Sequence, residues 1–467
     1  MRIELLNGED LSKRLQIMAT AGMLSRSDKN VFDLFVSRDD KYEKNLKVVN
    51  NIIAMGHETI IEHDYLVFGL QDVSPIIEQI IIGLRLASFT IKSRREVDFS
   101  SVGYYNPDFS YLENGNQIND MYNNHMQYLF DGYSKIVDTG VKKEDARFVL
   151  PYSYHSNIIM GVDGRTLEKL IKYCLTSQMS IMPEVREFGE KLKAIALEKA
   201  PYLADKLEGL EYSFKDETSF LDRFMPREES ILEKPELISV HSDFYPGEVD
   251  NEVDATIIIS HIMYRNNLPF EEALLTYSQL TNDEKKMIIK KICTSSEQRE
   301  LEHVSFKYQI PMSWAILTHL TRHRMHSLIV PEFLPVRGLD KHIVPNSIKA
   351  KCLDLYEEIF AKNYDKYLEL KEAGVEDKDL AYFYLSGNMV NVTTNINGRA
   401  LEWISRMRCC NKAQWSIRDT VNSMVAQAKE HTNLYGEYLG ATCDVFGTCP
   451  EGKECCGKVY ALKKENI

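Results

Sequence analysis

The stretch GVKKEDARFVLPYSYHSNIIMGVDGRTLEKL, residues 140–170, has a second version later in the chain: GVEDKDLAYFYLSGNMVNVTTNINGRALEWI, residues 374–404. The first glycines of the two versions lie 234 residues apart, and the versions align without a gap. Upstream, residues 60–88 align with residues 300–327 with small gaps. Self-similarity at a fixed offset indicates repeated structure, so we predict a tandem duplication of one domain.

The join between the two copies falls in DRFMPREESILEKPELISV, residues 222–240, a charged stretch with two prolines. Such a stretch packs poorly and is typical of a linker. We therefore predict a first domain over residues 1–221, a linker over 222–240 and a second domain over 241–467.

Local patterns predict the same kinds of element in both copies. A half-buried strand is predicted from apolar residues at alternate positions: Val304, Phe306, Tyr308 and Ile310. Ser74 followed by Pro75, and Ser313 at the equivalent place, predict the start of a helix after that strand. A later helix is predicted from apolar residues spaced along one face: Ile417, Val421, Met424 and Ala428.

The composition suits a globular chain of 467 residues, 44% of them hydrophobic. Its formal net charge of −13 argues against general binding to nucleic acid or to an anionic membrane, and leaves a local basic pocket for a small anionic ligand. No apolar stretch is long enough to span a bilayer, and the N-terminus lacks the apolar core of a secretory signal. Adjacent cysteines at 409–410 and 455–456 favour reduced thiols over a disulfide scaffold, so we expect a cytoplasmic protein.

Positive charge and imidazole are concentrated in LTRHRMHSLIVPEF, residues 320–333, which we predict to lie on a helix. The residues concerned are Arg322, His323, Arg324 and His326. Guanidinium groups favour anionic or carbonyl partners, so the cluster is either a binding site for such a group or a salt-bridge network. His319, His323 and His326 have the helical spacing of metal ligands, but the arginines beside them would repel a cation.

Arg408 follows Leu401 and Ile404 on the same face of a predicted helix. A guanidinium on an apolar face needs an anionic or carbonyl partner, because burying it without one is costly. An ion pair within the chain would satisfy this need equally well.

Taken together, RHRMHS at residues 322–327 and NGRALEWISRMRCCNKAQWSIR at residues 397–418 resemble the flavin-dependent thymidylate synthases. Both copies carry parts of the family's pattern, so the resemblance covers most of the chain. The first copy keeps GHETIIEH at residues 56–63, but Gly83 and Leu84 stand where the family has the start of its RHR triplet. The second copy keeps the triplet and the later helix arginine.

The two copies depart from the family's pattern in different places. In the first copy Cys174 stands at the position of Arg408, and we expect it to serve in packing. In the second copy Glu332 and Leu334 stand where a serine and an arginine are expected. A carboxylate there would repel a nucleotide phosphate, so the second copy's own nucleotide site is expected to be dead or altered.

The resemblance implies the α/β class, of the α+β type: two similar domains, each a mostly antiparallel sheet packed with long helices. It also implies methylation of dUMP to dTMP with FAD as cofactor and with methylenetetrahydrofolate and NADPH or NADH as co-substrates. The residues implied to bind FAD are Arg322, His323, Arg324, His57, Thr59, Glu62, Asn397 and Arg399. The residues implied to bind the nucleotide are Ser88, Ser93, Arg95 and Arg147, and the implied catalytic residue is Arg408.

The family builds each active site where several subunits of a tetramer meet. We therefore hypothesise that each working site combines parts kept by both copies, and that a homodimer reproduces the four-domain assembly. Two alternatives stay open. The chain could be a decayed duplicate that binds flavin or nucleotide without catalysis, or it could act on another pyrimidine nucleotide such as UMP or dCMP.

The C-terminal segment CDVFGTCPEGKECCGK contains a group of cysteines: Cys443, Cys449, Cys455 and Cys456. Four thiolates in a glycine-rich loop could bind zinc, although their spacing differs from the usual paired knuckle. Reduced thiols without a metal are the favoured interpretation.

Overall fold

The computed structural model describes residues 1–214, 230–242, 249 and 251–459 of the chain. These residues form two compact units. Unit 1 comprises residues 1–229 and 332–388, and unit 2 comprises residues 230–331 and 389–467.

The strands of the described residues are β1 (Arg2–Leu5), β2 (Tyr65–Val73), β3 (Ala87–Ile91), β4 (Ser156–Asp163), β5 (Glu236–His241), β6 (Ser305–Ser313), β7 (Ser327–Ile329) and β8 (Met389–Asn397). The helices are α1 (Leu11–Leu24), α2 (Val31–Val36), α3 (Tyr42–Ala54), α4 (Pro75–Ile82), α5 (Gly115–Asp138), α6 (Lys143–Ala146), α7 (Gly164–Thr176), α8 (Pro183–Lys199), α9 (Ala204–Leu207), α10 (Glu252–Asn266), α11 (Phe270–Gln279), α12 (Asn282–Cys293), α13 (Trp314–Leu320), α14 (Asn346–Lys351), α15 (Leu353–Glu372), α16 (Asp377–Leu380), α17 (Gly398–Arg408), α18 (Trp415–Lys429) and α19 (Thr442–Phe446).

Each unit is built on one four-stranded antiparallel sheet. The strand order is β1-β2-β4-β3 in unit 1 and β5-β6-β8-β7 in unit 2, so the same topology occurs twice. The strand predicted around residues 304–310 is confirmed as β6, in which Phe306, Tyr308 and Ile310 are buried. The predicted fold class, a mixed α/β protein with two similar domains, is therefore confirmed.

The predicted helices that flank the sheets are also present. Ser74 caps α4, and its hydroxyl accepts a hydrogen bond from the backbone N–H of Ile76 at 3.2 Å. The apolar face predicted for the later helix is buried on α18: Ile417, Val421, Met424 and Ala428.

The compact units do not follow the two copies of the sequence. Residues 332–388 belong to the second copy but pack in unit 1, where α15 lies against α5. His125 on α5 lies 3.0 Å from the Oδ1 of Asn363 on α15. Contacts between the copies therefore build the core of unit 1.

Backbone pairing inside unit 1 joins equivalent residues of the two copies. Pro151 forms an isolated antiparallel bridge with Leu385, its counterpart 234 residues later. On one side Tyr152 donates its N–H to the carbonyl of Tyr384 at 2.7 Å, and on the other Ser386 donates to Leu150 at 2.9 Å. Tyr152 and Ser386 are equivalent residues and both donate, while Leu150 and Tyr384 are equivalent residues and both accept. The pairing therefore has local twofold symmetry.

The end of the predicted linker is structured. Glu236–His241 is β5, which pairs with β6 just as β1 pairs with β2. The linker prediction is therefore wrong for residues 236–240, because the segment ELISVH pairs with β6 and forms an edge strand of the sheet. Residues 222–229 of the predicted linker lie outside the described residues. Across the part of the chain that the structure describes, no helix is long and apolar enough to cross a membrane.

Candidate functional site

The basic cluster of the second copy lies in a turn. Helix α13 ends at Leu320 and β7 begins at Ser327, so the prediction that a helix carries the cluster is wrong. The chain turns here because β7 must pair with β8. The predicted histidine face fails for the same reason, since His319 is on α13 and His323 follows the helix end. Among the described residues no group of three or more His, Cys, Asp or Glu is arranged to hold a metal ion.

The turn brings His323 to Arg408, the last residue of α17. The Nε of Arg408 donates a hydrogen bond to the Nε2 of His323 at 3.0 Å. Burial lowers the pKa of His323 to about 3, and the charge of Arg408 adds to this lowering. His323 is therefore neutral at pH 7 and accepts from Arg408 through an unprotonated Nε2. The sequence predicted both residues for the site, and the structure places them in contact.

Other residues of the same turn differ in exposure. Arg322 and Arg324 are exposed, whereas His326 is buried with its Nδ1 2.6 Å from the hydroxyl of Thr394 on β8. That contact anchors the turn to the sheet. The turn thus carries two guanidinium groups next to a neutral imidazole, and such donors suit carbonyl and phosphate oxygens.

Asn397 and Arg399 begin α17 and have partners in unit 2. The side chain of Asn397 caps the helix by accepting the N–H of Ala400 at 2.8 Å. Arg399 pairs with Glu302 at 2.7 Å. Both residues therefore have local structural roles in addition to the cofactor role predicted for them.

In unit 1 the predicted cofactor residues lie on a 3₁₀ turn, Glu58–His63. His57, Thr59 and Glu62 are all exposed at the edge of this turn. Glu62 pairs with Arg165 at 2.7 Å, the counterpart of the Glu302–Arg399 pair in unit 2. The same ion pair thus joins the same two elements in both copies.

The predicted nucleotide residues of unit 1 surround β3 and the turn that follows it. Ser88 is exposed on β3, and the Ser93 hydroxyl accepts the N–H of Arg95 at 3.3 Å. Arg95 forms an ion pair with Glu144. Arg147 is buried, and its Nε donates to the carbonyl of Glu144 at 3.1 Å. The structure therefore brings Arg95 and Arg147 together through Glu144.

The cluster includes a third arginine, Arg94, which was not among the residues predicted from the sequence. Arg94 donates from Nη1 to both carboxylate oxygens of the buried Glu78, at 2.8 and 2.7 Å. Burial, together with the charge of the nearby Arg94, lowers the pKa of Arg147 to about 10. The signal available in the sequence was the adjacent pair of arginines in KSRRE, residues 92–96.

The arginines of this cluster are of a kind that suits an anion. Arg94 pairs with Glu78, Arg95 pairs with Glu144, and the buried Arg147 lies beside both arginines. Guanidinium groups in a partly buried position hold an anionic ligand more strongly than they would in water.

The cysteines that the sequence singled out lie in two environments. Cys174 is buried on α7, and burial raises the pKa of its thiol, which agrees with the packing role predicted for it. The C-terminal cysteines predicted as a group lie along one small cavity of unit 2: Cys443, Cys449, Cys455 and Cys456.

The predicted site residues fall into one set per unit. Unit 1 holds His57, Thr59, Glu62, Ser88, Ser93, Arg95 and Arg147. Unit 2 holds Arg322, His323, Arg324, Asn397, Arg399 and Arg408. Each set is an incomplete version of the same pattern.

One sheet topology used twice, each time with arginine-rich turns at its edge, defines a tandem duplicate of a single α+β domain. Comparison with known families agrees, because residues 9–202 and 250–432 match the model described as thymidylate synthase complementing protein. The chain belongs to this family and carries two copies of its domain.

Individual relatives match one domain's length of the chain. A flavin-dependent thymidylate synthase of Clostridium tetani is 29% identical over 205 residues, which cover 40% of this chain and 82% of that protein. The enzyme of the same name from Geobacter sulfurreducens is 30% identical over 180 residues, covering 37% and 77%. That of Saccharolobus solfataricus is 29% identical over 169 residues, and the match spans 35% of this chain and 65% of that protein, less than two thirds of its length.

One solved structure is also similar. It is the crystal structure of a UMP/dUMP methylase, PolB from Streptomyces cacaoi, bound with 5-Br dUMP. The match has a TM-score of 0.36 and 12% identity, and covers 44% of this chain and 93% of that one.

Proposed function

We propose that this chain is a flavin-dependent thymidylate synthase whose working sites combine the residue sets of both copies. In this proposal dUMP accepts the one-carbon unit of methylenetetrahydrofolate, and the reducing electrons come from NADPH through FAD. The observation that carries the proposal is the complementary loss of motifs in a chain that matches the family twice. The active form is proposed to be a cytoplasmic homodimer.

The nucleotide is assigned to unit 1 because its arginine cluster has the charge that a phosphate monoester needs. Arg95 is half-buried and Arg147 is buried, so both would contribute charge-assisted hydrogen bonds in a region of reduced solvation. Ser88 and Ser93 are exposed beside them and can donate from their hydroxyls. In the second copy Glu332 takes the place of such a serine, and a carboxylate opposes phosphate binding.

The flavin is assigned chiefly to the turn in unit 2. Arg322 and Arg324 would hold its pyrophosphate or carbonyl oxygens, with His323, Asn397 and Arg399 close by in the same unit. From unit 1, His57, Thr59 and Glu62 would contact another part of it. A flavin held there would supply the redox chemistry of the reaction, while these side chains would bind and orient it.

Arg408 is assigned the catalytic role, with His323 positioning it. Neutral His323 accepts the Nε–H of Arg408 and fixes the guanidinium without adding a second positive charge. A fixed guanidinium against the uracil stabilises the negative charge that develops as C5 attacks the one-carbon unit. This effect is electrostatic and requires no enzyme nucleophile. The buried Cys174, whose thiol pKa is raised by burial, fits the same view.

Flavin content and turnover test the proposal directly. We expect the purified protein to show flavin absorbance near one FAD per chain and to form dTMP only when dUMP is present. Arg324→Ala should weaken flavin binding at least about tenfold, while Arg95→Ala should keep flavin and weaken dUMP binding by a similar factor. Arg2→Ala is the matched control, because Arg2 is exposed and pairs only locally with Glu4.

Each contrary result has its own meaning. If Arg324→Ala and Arg95→Ala both kept normal turnover, the residue assignments would be wrong. If the protein bound neither flavin nor dUMP, it would be a decayed duplicate without catalysis. Flavin binding with turnover of UMP or dCMP instead of dUMP would change the substrate but keep the flavin assignment.

A further inference from the structure

Unit 2 contains a cavity that none of the site residues predicted from the sequence lines. Three elements enclose it: helix α12, the 3₁₀ turn Tyr435–Tyr438 and helix α19. Its volume is about 430 Å³, which lies within the range of about 300–1,000 Å³ that is usual for small-molecule sites. The proposed flavin and nucleotide sites therefore leave this cavity without a function.

Most of the cavity wall is apolar or aromatic. Ile289 is fully buried behind it, whereas the neighbouring Met287 is 62% exposed. An apolar side chain that lies open in a cavity gains free energy when a ligand covers it. The apolar and aromatic side chains of the wall are Met287, Ile289, Leu434, Tyr438, Val445 and Phe446.

Contacts inside unit 2 hold two of the walls in place. The backbone N–H of Leu434 donates to the Oδ2 of the buried Asp254 on α10 at 2.9 Å. The guanidinium carbon of Arg406 lies 4.7 Å from the centre of the Phe446 ring. The Nη2 of Arg406 also donates to the carbonyl of Cys293 at the end of α12, at 3.1 Å. The cavity is therefore largely preformed, as small-molecule sites usually are.

The charged side chains of the wall are two lysines and one glutamate. Lys286 and Lys290 are one helical turn apart on α12, and like charges at this spacing destabilise a helix. In the part of the chain that the structure describes, neither ammonium group forms an ion pair. Glu437 lies on the 3₁₀ turn of the wall. The two lysines together favour an anionic group, and Glu437 opposes a second one.

We propose that this cavity binds a small aromatic anion, a flat ring system that carries one carboxylate, sulfonate or phosphate group. The ring lies among Met287, Tyr438 and Phe446, because aromatic rings and a thioether pack well against a ring. The anionic group lies against Lys286 and Lys290, which supply charge-assisted hydrogen bonds. Binding thus relieves the repulsion between the two lysines and covers the exposed apolar wall.

Equilibrium dialysis of the full-length protein tests the proposal, with 2-naphthalenesulfonate as the probe. The protein is supplied with excess FAD and dUMP in about 0.15 M salt, which screens distant charges. We expect one saturable site per chain, with at least about tenfold weaker binding of the neutral 2-naphthalenesulfonamide. Lys286→Glu and Lys290→Glu should each weaken binding of the sulfonate at least about tenfold. Lys291→Glu makes the same change of charge beside the cavity wall and should weaken it less than about threefold.

Two further variants separate this cavity from the sites of the proposed function. Arg95→Ala and Arg324→Ala should both keep the probe, because neither residue lines the cavity. Loss of the probe in either variant would place it at an arginine cluster and overturn the proposal. The proposal is equally overturned if no saturable binding occurs, if the neutral sulfonamide binds as well as the sulfonate, or if Lys291→Glu acts as strongly as Lys290→Glu.

A measurement on the unaltered protein covers the case in which the lysine variants fail to fold. A crystal soaked with 6-bromo-2-naphthalenesulfonate should show an anomalous bromine peak between α12 and α19. A peak only at the arginine turns, or no peak at a concentration that saturates the protein in dialysis, would overturn the proposal. This result does not depend on flavin content or turnover, so it remains distinct from the test of the proposed function.

Discussion

At the scale of single residues, the pairing of His323 with Arg408 explains how two cationic side chains share one site. A protonated imidazole would repel the guanidinium, and burial adds to the cost of its charge. The folded chain therefore holds His323 neutral, as an acceptor for the Nε–H of Arg408 at 3.0 Å. The sequence identified both residues through a family pattern, but 85 positions separate them, so no local pattern could show the bond.

The neutral state of His323 predicts how stability depends on pH. Its pKa falls from 6.5 to about 3 on folding, so below pH 6.5 the unfolded chain binds a proton that the folded chain refuses. The resulting stabilisation is complete above pH 6.5 and is lost as pH falls toward 3, by up to about 1.4 kcal/mol per pH unit. We expect His323→Gln, which keeps an acceptor but cannot titrate, to lose less stability between pH 7 and pH 4.

Urea unfolding of both proteins across this pH range measures the difference. Other groups that titrate in the same range, such as His125, whose pKa burial lowers to about 4, are shared by both proteins and cancel. His323→Ala provides the comparison without an acceptor for Arg408. Equal pH slopes in the unaltered protein and in His323→Gln would mean that folding does not lower the pKa of His323.

Two substitutions of Asn397 separate its role as the cap of α17 from the flavin contact predicted for it. Asn397→Ala removes the cap of α17 and should lower the free energy of unfolding by about 1 kcal/mol. Asn397→Asp should keep stability, because Asp163 caps α7 at the equivalent position with a bond of 2.8 Å. If Asn397 also donates to the flavin, the Asp variant should bind flavin more weakly while its unfolding midpoint stays unchanged. Unchanged flavin affinity in Asn397→Asp would leave the residue only its capping role.

At the scale of elements, periodic patterns predicted the strands and helices whose neighbours bury one face. Alternating apolar residues around Tyr308 predicted β6, and apolar residues at helical spacing around Val421 predicted α18. The helix predicted through the basic cluster failed because distant partners decide that turn. Ser327 pairs with Asn395 on β8, and His326 bonds to Thr394, and neither contact can be inferred from local spacing.

In both copies the equivalent helix begins at a glycine, and we predict that replacing this glycine lowers stability. A Cβ at Gly398 on α17 would lie 2.8 Å from the carbonyl oxygen of Leu301, and one at Gly164 on α7 would lie 3.0 Å from that of Ile61. Backbone atoms cannot move aside as a flexible side chain can. We therefore expect Gly398→Ala and Gly164→Ala each to lower the free energy of unfolding by about 1–3 kcal/mol.

The control for this pair is Gly83→Ala, at the end of α4. Its backbone is helical, and an added Cβ would have its nearest contacts at 3.4 Å, so stability should change by no more than about 0.5 kcal/mol. Chemical unfolding of the three variants under one condition makes the comparison. A neutral Gly398→Ala would show that α17 can shift away from the 3₁₀ turn Arg299–His303, which contains Leu301.

At the scale of the whole molecule, the duplication was visible in the sequence but the division into compact units was not. The repeat fixes which residues are equivalent, whereas the units depend on which helices pack together. Residues 332–388 join unit 1 because α15 packs on α5, with Asn363 bonded to His125 and Leu385 paired with Pro151. These contacts link one copy to the other, and a pattern within either copy carries no information about them.

The complementary losses in the two copies lead to a prediction about stoichiometry. Ser93 and Arg95 remain in the first copy, while Glu332 and Leu334 stand at the matching positions of the second. Burial raises the pKa of Glu332, yet no positive side chain stands at Leu334 to attract a phosphate. We therefore expect calorimetric titration of the FAD-loaded protein to give one dUMP site per chain.

Arg95→Ala decides which copy holds that site. If the first copy supplies the phosphate contacts, this variant should lose its saturable dUMP binding while its flavin absorbance stays near one FAD per chain. The two effects should separate because Arg95 pairs with Glu144 in unit 1, whereas the flavin residues Arg322 and Arg324 belong to unit 2. Two dUMP sites per chain would mean that each copy keeps its own site, and complementary loss would then not explain the duplication. One site that survives Arg95→Ala would assign the nucleotide to the second copy, despite the carboxylate of Glu332.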